Sequence, residues 1–302
     1  MRIIVLFFCL LPFANTAQNG YSQWLSVQGT EMHLLGDFKE KRVYGNPKGE
    51  QKKVALMQVQ RYENGRLKRD VMYNGYPQLM YDMVIDYQED GTARGINVLD
   101  SSIVTYAFTN DKKIRYYVVD QQSATHVIYT YNDKGALIRC KDCLAPFGNH
   151  EWCAYYQYIY NEQEQLIKVL SYNLEKGMPV ESKVLFATDS LEYEQGLLKN
   201  RWTLNPAGNV TQKAVYKYNK KNLLEQEEST QLIANPNPKR YTKNYTYHCN
   251  KRLKQKVEAY YTGSHLDGQQ IAKYNPKGWK IRQESYRGDG KRTKYYKIKY
   301  KG

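Results

Sequence analysis

The chain has 302 residues, with 45 Lys and Arg against 30 Asp and Glu, a formal charge of +15 and a mean hydropathy of -0.76. It carries 30 Tyr but only 7 Phe. After the first apolar run no stretch is long enough to span a bilayer as a helix, and the composition leaves little for a deep aliphatic core. Tyrosine, an apolar ring with a polar tip, suits half-exposed sheet faces and binding surfaces instead.

Residues 1–17 read as a signal peptide. Met1-Arg2 supplies the positive start, Ile3–Pro12 the apolar run, and Ala14-Asn15-Thr16-Ala17 the small residues for cleavage after Ala17 or, alternatively, Ala14. Cys9 sits among Phe and Leu and lacks the small-residue context of a lipidated cysteine. The expectation is a secreted or periplasmic protein, associated with the outer surface, whose residues 18–302 form a single elongated domain.

From about residue 44 the chain repeats itself. Tyr44–Gly49 reads as a first turn, Val54–Tyr62 and Leu67–Tyr73 as strands around Asn64-Gly65, and Tyr81–Tyr87 as a strand ending at Glu89-Asp90-Gly91. Ile103–Phe108, Ile114–Val119 and His126–Tyr131 follow. Tyr129–Ile138 is the clearest hairpin: Tyr129 and Tyr131 share a strand face, and Asn132-Asp133-Lys134-Gly135 supplies the corner. Tyr156–Tyr160, Leu166–Tyr172, Lys183–Ala187, Leu191–Tyr193, Val215–Tyr218, Tyr245–Tyr247, Trp279–Tyr286 and Lys294–Tyr300 continue the pattern. Leu137, Leu166, Leu197, Leu223, Leu253 and Ile281 recur at intervals of roughly 26–31 residues, the mark of a repeated supersecondary unit. Apolar residues recur at two, seldom at three and four, and no capped helical run is found. The expected fold is all-β: repeated antiparallel hairpins in a long twisted sheet, able to curl on itself. Trp24 and Lys294–Tyr300 are expected to cap its outer strands.

Tyr131–Leu137, Tyr218–Leu223 and Tyr274–Lys280 resemble the YD repeats best known from bacterial Rhs proteins, with Asn at the second position in place of Asp. That resemblance covers residues 44–302 in patches. It implies hairpins strung into a winding sheet and extracytoplasmic use, and it carries no catalytic residues; the chain is too short for the shell that Rhs proteins build. Tyr62–Lys68 is similar over seven residues to the hairpins of MORN-like proteins.

One cluster has distinctive chemistry. Cys140, Cys143, His150 and Cys153 have the residue types of a tetrahedral zinc site. In an exported chain the expected state of Cys140, Cys143, Cys153 and Cys249 is disulfide bonding instead, with three pairings open. The remaining histidines, 33, 126, 248 and 265, are scattered, no nucleophile elbow or Gly-rich phosphate loop is present, and pairs such as Glu227-Glu228 fit a solvated face. No cofactor is expected, and an enzyme is the lesser expectation: its alternative form is a secreted hydrolase or toxin-associated protein with a site near the 141–152 loop. A partner of a larger secretion system is a third reading.

The C-terminal tract is the better lead. Tyr286, Arg292, Lys294, Tyr296, Lys297, Lys299 and Tyr300 interleave rings with cations. On a strand, Tyr296, Ile298 and Tyr300 take one face, and Lys297 and Lys299 the other. Rings stack on sugars, and cations attract carboxylate, sulfate or phosphate. The competing explanation is that lysines on an edge strand block edge-to-edge pairing. The function expected is a non-enzymatic binding or scaffold protein of the bacterial surface or periplasm. Its partner would be an anionic polysaccharide, lipopolysaccharide or an acidic protein, with no nucleic acid.

Overall fold

The protein is described here from a computed structural model, which covers residues 38–46, 54–74, 77–108, 114–119, 125–143, 152–175, 177–232 and 237–302, with backbone alone for 114–119, 125, 126 and 152. The leader, Trp24, His33 and residues 144–151 lie outside the described residues. Among the described residues the chain is all-β apart from one short 3-10 turn, Val180–Ser182. They pack as two compact units, one from Asp86–Gly95 and Ser102–Asn209, the other from Leu35–Ile85, Ile96–Ser101 and Val210–Gly302.

The first unit is an uninterrupted antiparallel ladder. Its strands are β6 (Ile103–Phe108), β7 (Ile114–Val119), β8 (Thr125–Tyr131), β9 (Leu137–Asp142), β10 (Trp152–Tyr160), β11 (Leu166–Glu175), β12 (Val184–Glu194) and β13 (Leu197–Leu204), each paired with the next. Ahead of them β5 (Thr92–Asn97) divides between the units. The two strands expected at Lys183–Ala187 and Leu191–Tyr193 are one, β12.

The second unit joins the two ends of the described chain. Its N-terminal strands are β1 (Glu40–Asn46), β2 (Ala55–Glu63), β3 (Arg66–Tyr73) and β4 (Leu79–Tyr87), and its C-terminal ones are β14 (Val210–Tyr218), β15 (Leu224–Gln231), β16 (Lys239–Tyr247), β17 (Leu253–Thr262), β18 (His265–Tyr274), β19 (Lys280–Arg287) and β20 (Arg292–Lys301). Neighbours in sequence pair within each group, and β1 pairs with both β2 and β20. Two expectations change. Lys294–Tyr300 is no edge, because β20 is paired on both sides. Tyr44–Asn46 is strand, since Gly45 makes room for a ring: a Cβ there would lie 2.7 Å from Tyr296 Cδ1.

The hairpin turns follow one local rule. Asn132 Oδ1 accepts the N–H of Lys134 (3.1 Å) and of Ala136 (2.8 Å), while Gly135 closes the corner at φ +77°. Asn219 does the same for Lys221 and Leu223, and Asn275 for Lys277 and Trp279. The register slips by one residue just before the strand-ending tyrosine, at Thr130/Tyr131, Ile159/Tyr160, Lys217/Tyr218, Thr246/Tyr247 and Lys273/Tyr274. Such a bulge re-aims side chains, so Tyr247 and Leu253 come to lie on one face. The tyrosine then reaches back one repeat. Tyr160 Oη donates to Leu137 O (2.9 Å), Tyr193 to Leu166 O (2.9 Å), Tyr247 to Leu224 O (2.7 Å) and Tyr300 to Lys280 O (2.8 Å). This hook ties four of the hairpins to an earlier one, alongside the buried leucines and valines.

The cysteines resolve into one bridge. Cys143 and Cys153 are bonded and buried against Leu174, with Val180 packed on them. Cys140 is a buried free thiol raised well above its ordinary pKa by burial and by Asp142, and Cys249 is an exposed free thiol. The expectation of bridges at all four positions is therefore corrected at Cys140 and Cys249. The zinc alternative loses two thiolates to the bridge, and the described residues hold no metal-ligand cluster.

Two measurements check these features. Of the cysteines from Cys140 onward, thiol labelling should modify Cys249 in the native protein, Cys140 as well in denaturant, and Cys143 and Cys153 only after reduction. Tyr247→Phe should cost about 1 kcal/mol in urea unfolding, one net buried hydrogen bond. Burial, for Tyr193 and Tyr300 with a neighbouring tyrosine, holds the hydroxyls of Tyr160, Tyr193, Tyr247 and Tyr300 up at about 12, from an ordinary 10. A pKa raised by folding favours the neutral form, so the contribution of the hooks is complete below pH 10 and lost as pH rises through about 12. Tyrosinate absorbance followed with pH should therefore lag that of the unfolded chain.

Candidate functional site

In the second unit the register assigns each strand residue to one of two faces. One face is lined with ionisable groups that are nonetheless buried. Glu227 on β15, Lys243 on β16 and Glu258 on β17 stand directly opposite one another. Lys243 Nζ lies 3.0 Å from Glu227 Oε2, and Lys256 Nζ 2.9 Å from Glu258 Oε1. Burial alone would raise the Glu258 carboxyl, but Lys256, Tyr241 and Lys243 outweigh it and hold it below its ordinary value. Burial followed by nearby carboxylates pushes Tyr241 and Tyr245 far up, so both stay neutral donors. Farther along, Asp70 accepts from Gln58 (2.8 Å) and Gln60 (2.9 Å), and Lys41 donates to Gln60 (2.9 Å). Burial, then Lys280, brings Lys41 down to about 8. Every charge here has a partner. The alternating signs set register between neighbouring hairpins, a structural task.

The opposite face carries the cations that are not so balanced. Lys273 (β18), Arg282 (β19) and Lys297 (β20) stand abreast, and Tyr44 (β1) continues their row. Directly opposite like charges destabilise a sheet. In the next row Glu284 and Tyr295 face each other. Glu284 is only 3% exposed and accepts from Arg282 Nη2 (2.7 Å) and Arg292 Nη1 (3.0 Å). Those two hydrogen bonds overcome the effect of burial and keep its carboxyl below the ordinary range. Both guanidiniums also lie over the Tyr295 ring, 5.4 and 5.3 Å from its centroid. Lys299, opposite Arg42, lies 5.2 Å from the Tyr44 centroid. The arginines are thus held in place by Glu284 and Tyr295, while Lys297 and Lys299 extend into solvent. The arrangement presents fixed forks and exposed ammonium groups beside aromatic rings, a combination that fits carboxylate, sulfate or phosphate on a sugar chain.

The residues singled out in sequence divide between the two faces. Tyr286, Arg292, Lys297 and Lys299 lie on the cationic face. Lys294, Tyr296 and Tyr300 lie on the other: Lys294 opposite Ser285, Tyr296 over Gly45, and Tyr300 hooked to Lys280 with its ring against Phe38 and Trp279. Lys273, Arg282, Tyr44 and Arg42 complete the cationic face and were not read from sequence, while Tyr295 was read as one of the rings of the tract without being singled out as a site residue. The alternation of β20 was the available signal for Tyr295; nothing local in the sequence brings Tyr44 or Arg42 alongside.

No family model matches the chain, and no curated protein matches it. Among solved structures it is similar to a porin-like protein from Bacteroides uniformis, at 8% identity over 88% of this chain and 99% of that one, with a TM-score of 0.37. A porin-like protein from Bacteroides vulgatus gives 10% identity over 87% and 99%, with a TM-score of 0.33. A likeness of that size assigns no function. Among the described residues no helix is long and apolar enough to cross a membrane.

The buried ion pair is open to a direct check. Lys243→Met leaves Glu227, 2% exposed, without its ammonium partner and should cost about 3–5 kcal/mol. Adding Glu227→Gln should recover most of that loss in urea unfolding.

Proposed function

We propose that the protein is an exported, non-enzymatic binding protein that holds an acidic glycan on the cationic face of β18, β19, β20 and β1. The observation that carries this reading is the row Lys273–Arg282–Lys297, three cations abreast beside Tyr44 and Tyr295. Their repulsion is relieved when a chain of anions lies across them, and the rings offer stacking surface to the sugars between those anions. The edge-protection account of these lysines is weakened, since β20 has a partner on each side. The Cys143–Cys153 bridge fits an oxidising compartment, in line with the leader read at residues 1–17, and the two together support a periplasmic or outer-surface location. The hydrolase alternative near residues 141–152 gains no support: Cys143 and Cys153 are bound to each other, and residues 144–151 lie outside the described residues.

Retention on immobilised dextran sulfate or hyaluronate at rising salt tests the reading. Lys297→Glu with Lys299→Glu should lower affinity at least about ten-fold, the loss of two charge-assisted contacts. Lys294→Glu, on the opposite face, should leave it near the wild-type value. Retention that ignores both salt and the double variant would overturn the proposal.

A further inference from the structure

The hairpin turns of the second unit carry a charge that their geometry does not require. Those between β14 and β15 (219–222), β16 and β17 (248–251) and β18 and β19 (275–278) lie at the same end of one antiparallel ladder. With the residue on either side, they hold Lys220, Lys221, Lys251, Arg252 and Lys277, and no acid. The corresponding turns of the first unit, 132–135, 161–164 and 194–197, hold Asp133, Lys134, Glu162, Glu164 and Glu194. There Lys134 is paired with Glu164, and Lys199 with Glu194. Glu164 and Lys251 take the same place in their turns, at φ +61° and +64°. The turn thus accepts either sign, and a run of one sign costs repulsion that a mixed surface avoids.

These cations are continuous with the cationic face. Arg252 Nη1 donates to Lys277 O (2.7 Å) and Asn250 Nδ2 to Pro276 O (2.9 Å), which joins the second turn to the third. Both acceptors are carbonyls, so these bonds leave the guanidinium charge in place. Lys277 Nζ lies 5.0 Å from the Trp279 centroid, again a cation beside a ring. Lys273, of the row Lys273–Arg282–Lys297, is two residues from Asn275. Among the described residues, Lys220, Lys221, Lys251, Arg252 and Lys277 enter no ion pair. Glu225, the first acid along β15, adjoins Gln226, whose partner across the ladder is Lys217. Beyond β20 and β1, the turn between β2 and β3 carries Glu63 as well as Arg66, and the run of single sign ends there.

We propose, resting on the glycan reading above, that these turns continue the glycan track and that the ligand is a long polyanion. It runs from Lys297 on β20 over the turns to Lys220 and Lys221, with anions repeated along its length. From β20 to β15 the track crosses five strand-to-strand intervals, roughly 24 Å in all. Successive turns stand about 10 Å apart, a spacing that a chain of repeated anions meets turn by turn and a short sugar does not. Continuity selects this occupant: Lys273 and Lys277 flank Asn275 on one hairpin, one serving the face and the other the turns.

Titration of the full chain with a hyaluronate tetrasaccharide and a dodecasaccharide tests it, in about 0.15 M salt, where charges beyond about 8 Å are screened. The triple variant Lys220→Glu, Lys251→Glu, Lys277→Glu should bind the dodecasaccharide at least about ten-fold more weakly and the tetrasaccharide within about two-fold of wild type. Its dodecasaccharide affinity should also fall less steeply with salt, because fewer counterions are displaced. The three positions are exposed, and unchanged thermal unfolding verifies that the variant is folded. Lys297→Glu with Lys299→Glu should weaken both ligands. Dodecasaccharide binding by the triple variant equal to wild type would overturn the extended track, as would an equal loss for both lengths. Indifference of both ligands to Lys297→Glu with Lys299→Glu would overturn instead the glycan reading of the face, and the extended track with it.

Discussion

The structure depends on a phenolic hydroxyl donated to a backbone carbonyl one hairpin earlier. An isolated β-hairpin is marginal in water, and these hairpins have little aliphatic surface with which to hold a neighbour. At Tyr160, Tyr193 and Tyr247 a bulge turns the ring onto the same face as a leucine at the start of the return strand, and the hydroxyl then bonds the preceding repeat. A Phe at these four positions could fill the space but could not make the link. The carbonyls that accept these bonds, on Leu137, Leu166, Leu224 and Lys280, fall one or two repeats apart.

That arrangement also explains how the second unit holds charge on both faces. On the inner one, carboxylates and ammonium groups alternate across strands, each with a partner, and the phenols between them stay neutral. On the opposite one, Glu284 and Tyr295 fix two guanidiniums and Glu40 holds Arg42, while Lys297 and Lys299 lie exposed beside them. The same residue types thus do different work according to which side of the pleat they occupy. A one-residue slip in register would exchange the two sets.

Much of the architecture was legible because it is local. The asparagine that opens a turn accepts hydrogen bonds from N–H groups two and four residues on, so Tyr131–Leu137 and Tyr274–Lys280 announce their geometry within seven residues. The alternation of β20 was equally plain. Long-range facts were hidden. Gly45-Asn46-Pro47 carries turn residues, but Gly45 serves the close approach of the Tyr296 ring from the far end of the chain. The strand Leu224–Gln231 is too polar to announce itself, because its inward positions hold Glu227 and Ser229. The cysteine pairing depended on which side chains met Leu174, which spacing alone does not say. The cationic face was half visible for the same reason: β19 and β20 are neighbours in sequence, and β1 is not.

The pairing of β1 with β20 bears on how the chain reaches its fold. The first unit's residues are interposed in sequence between the two halves of the second. Hairpins within each half have low contact order and can form early, yet β1 must wait for β20 to be synthesised. Until then β1 presents one unpaired edge, and so does β19. A chain built this way completes its second unit only after β20 has been made. A product truncated before β20 would be left with open edges and a tendency to self-associate.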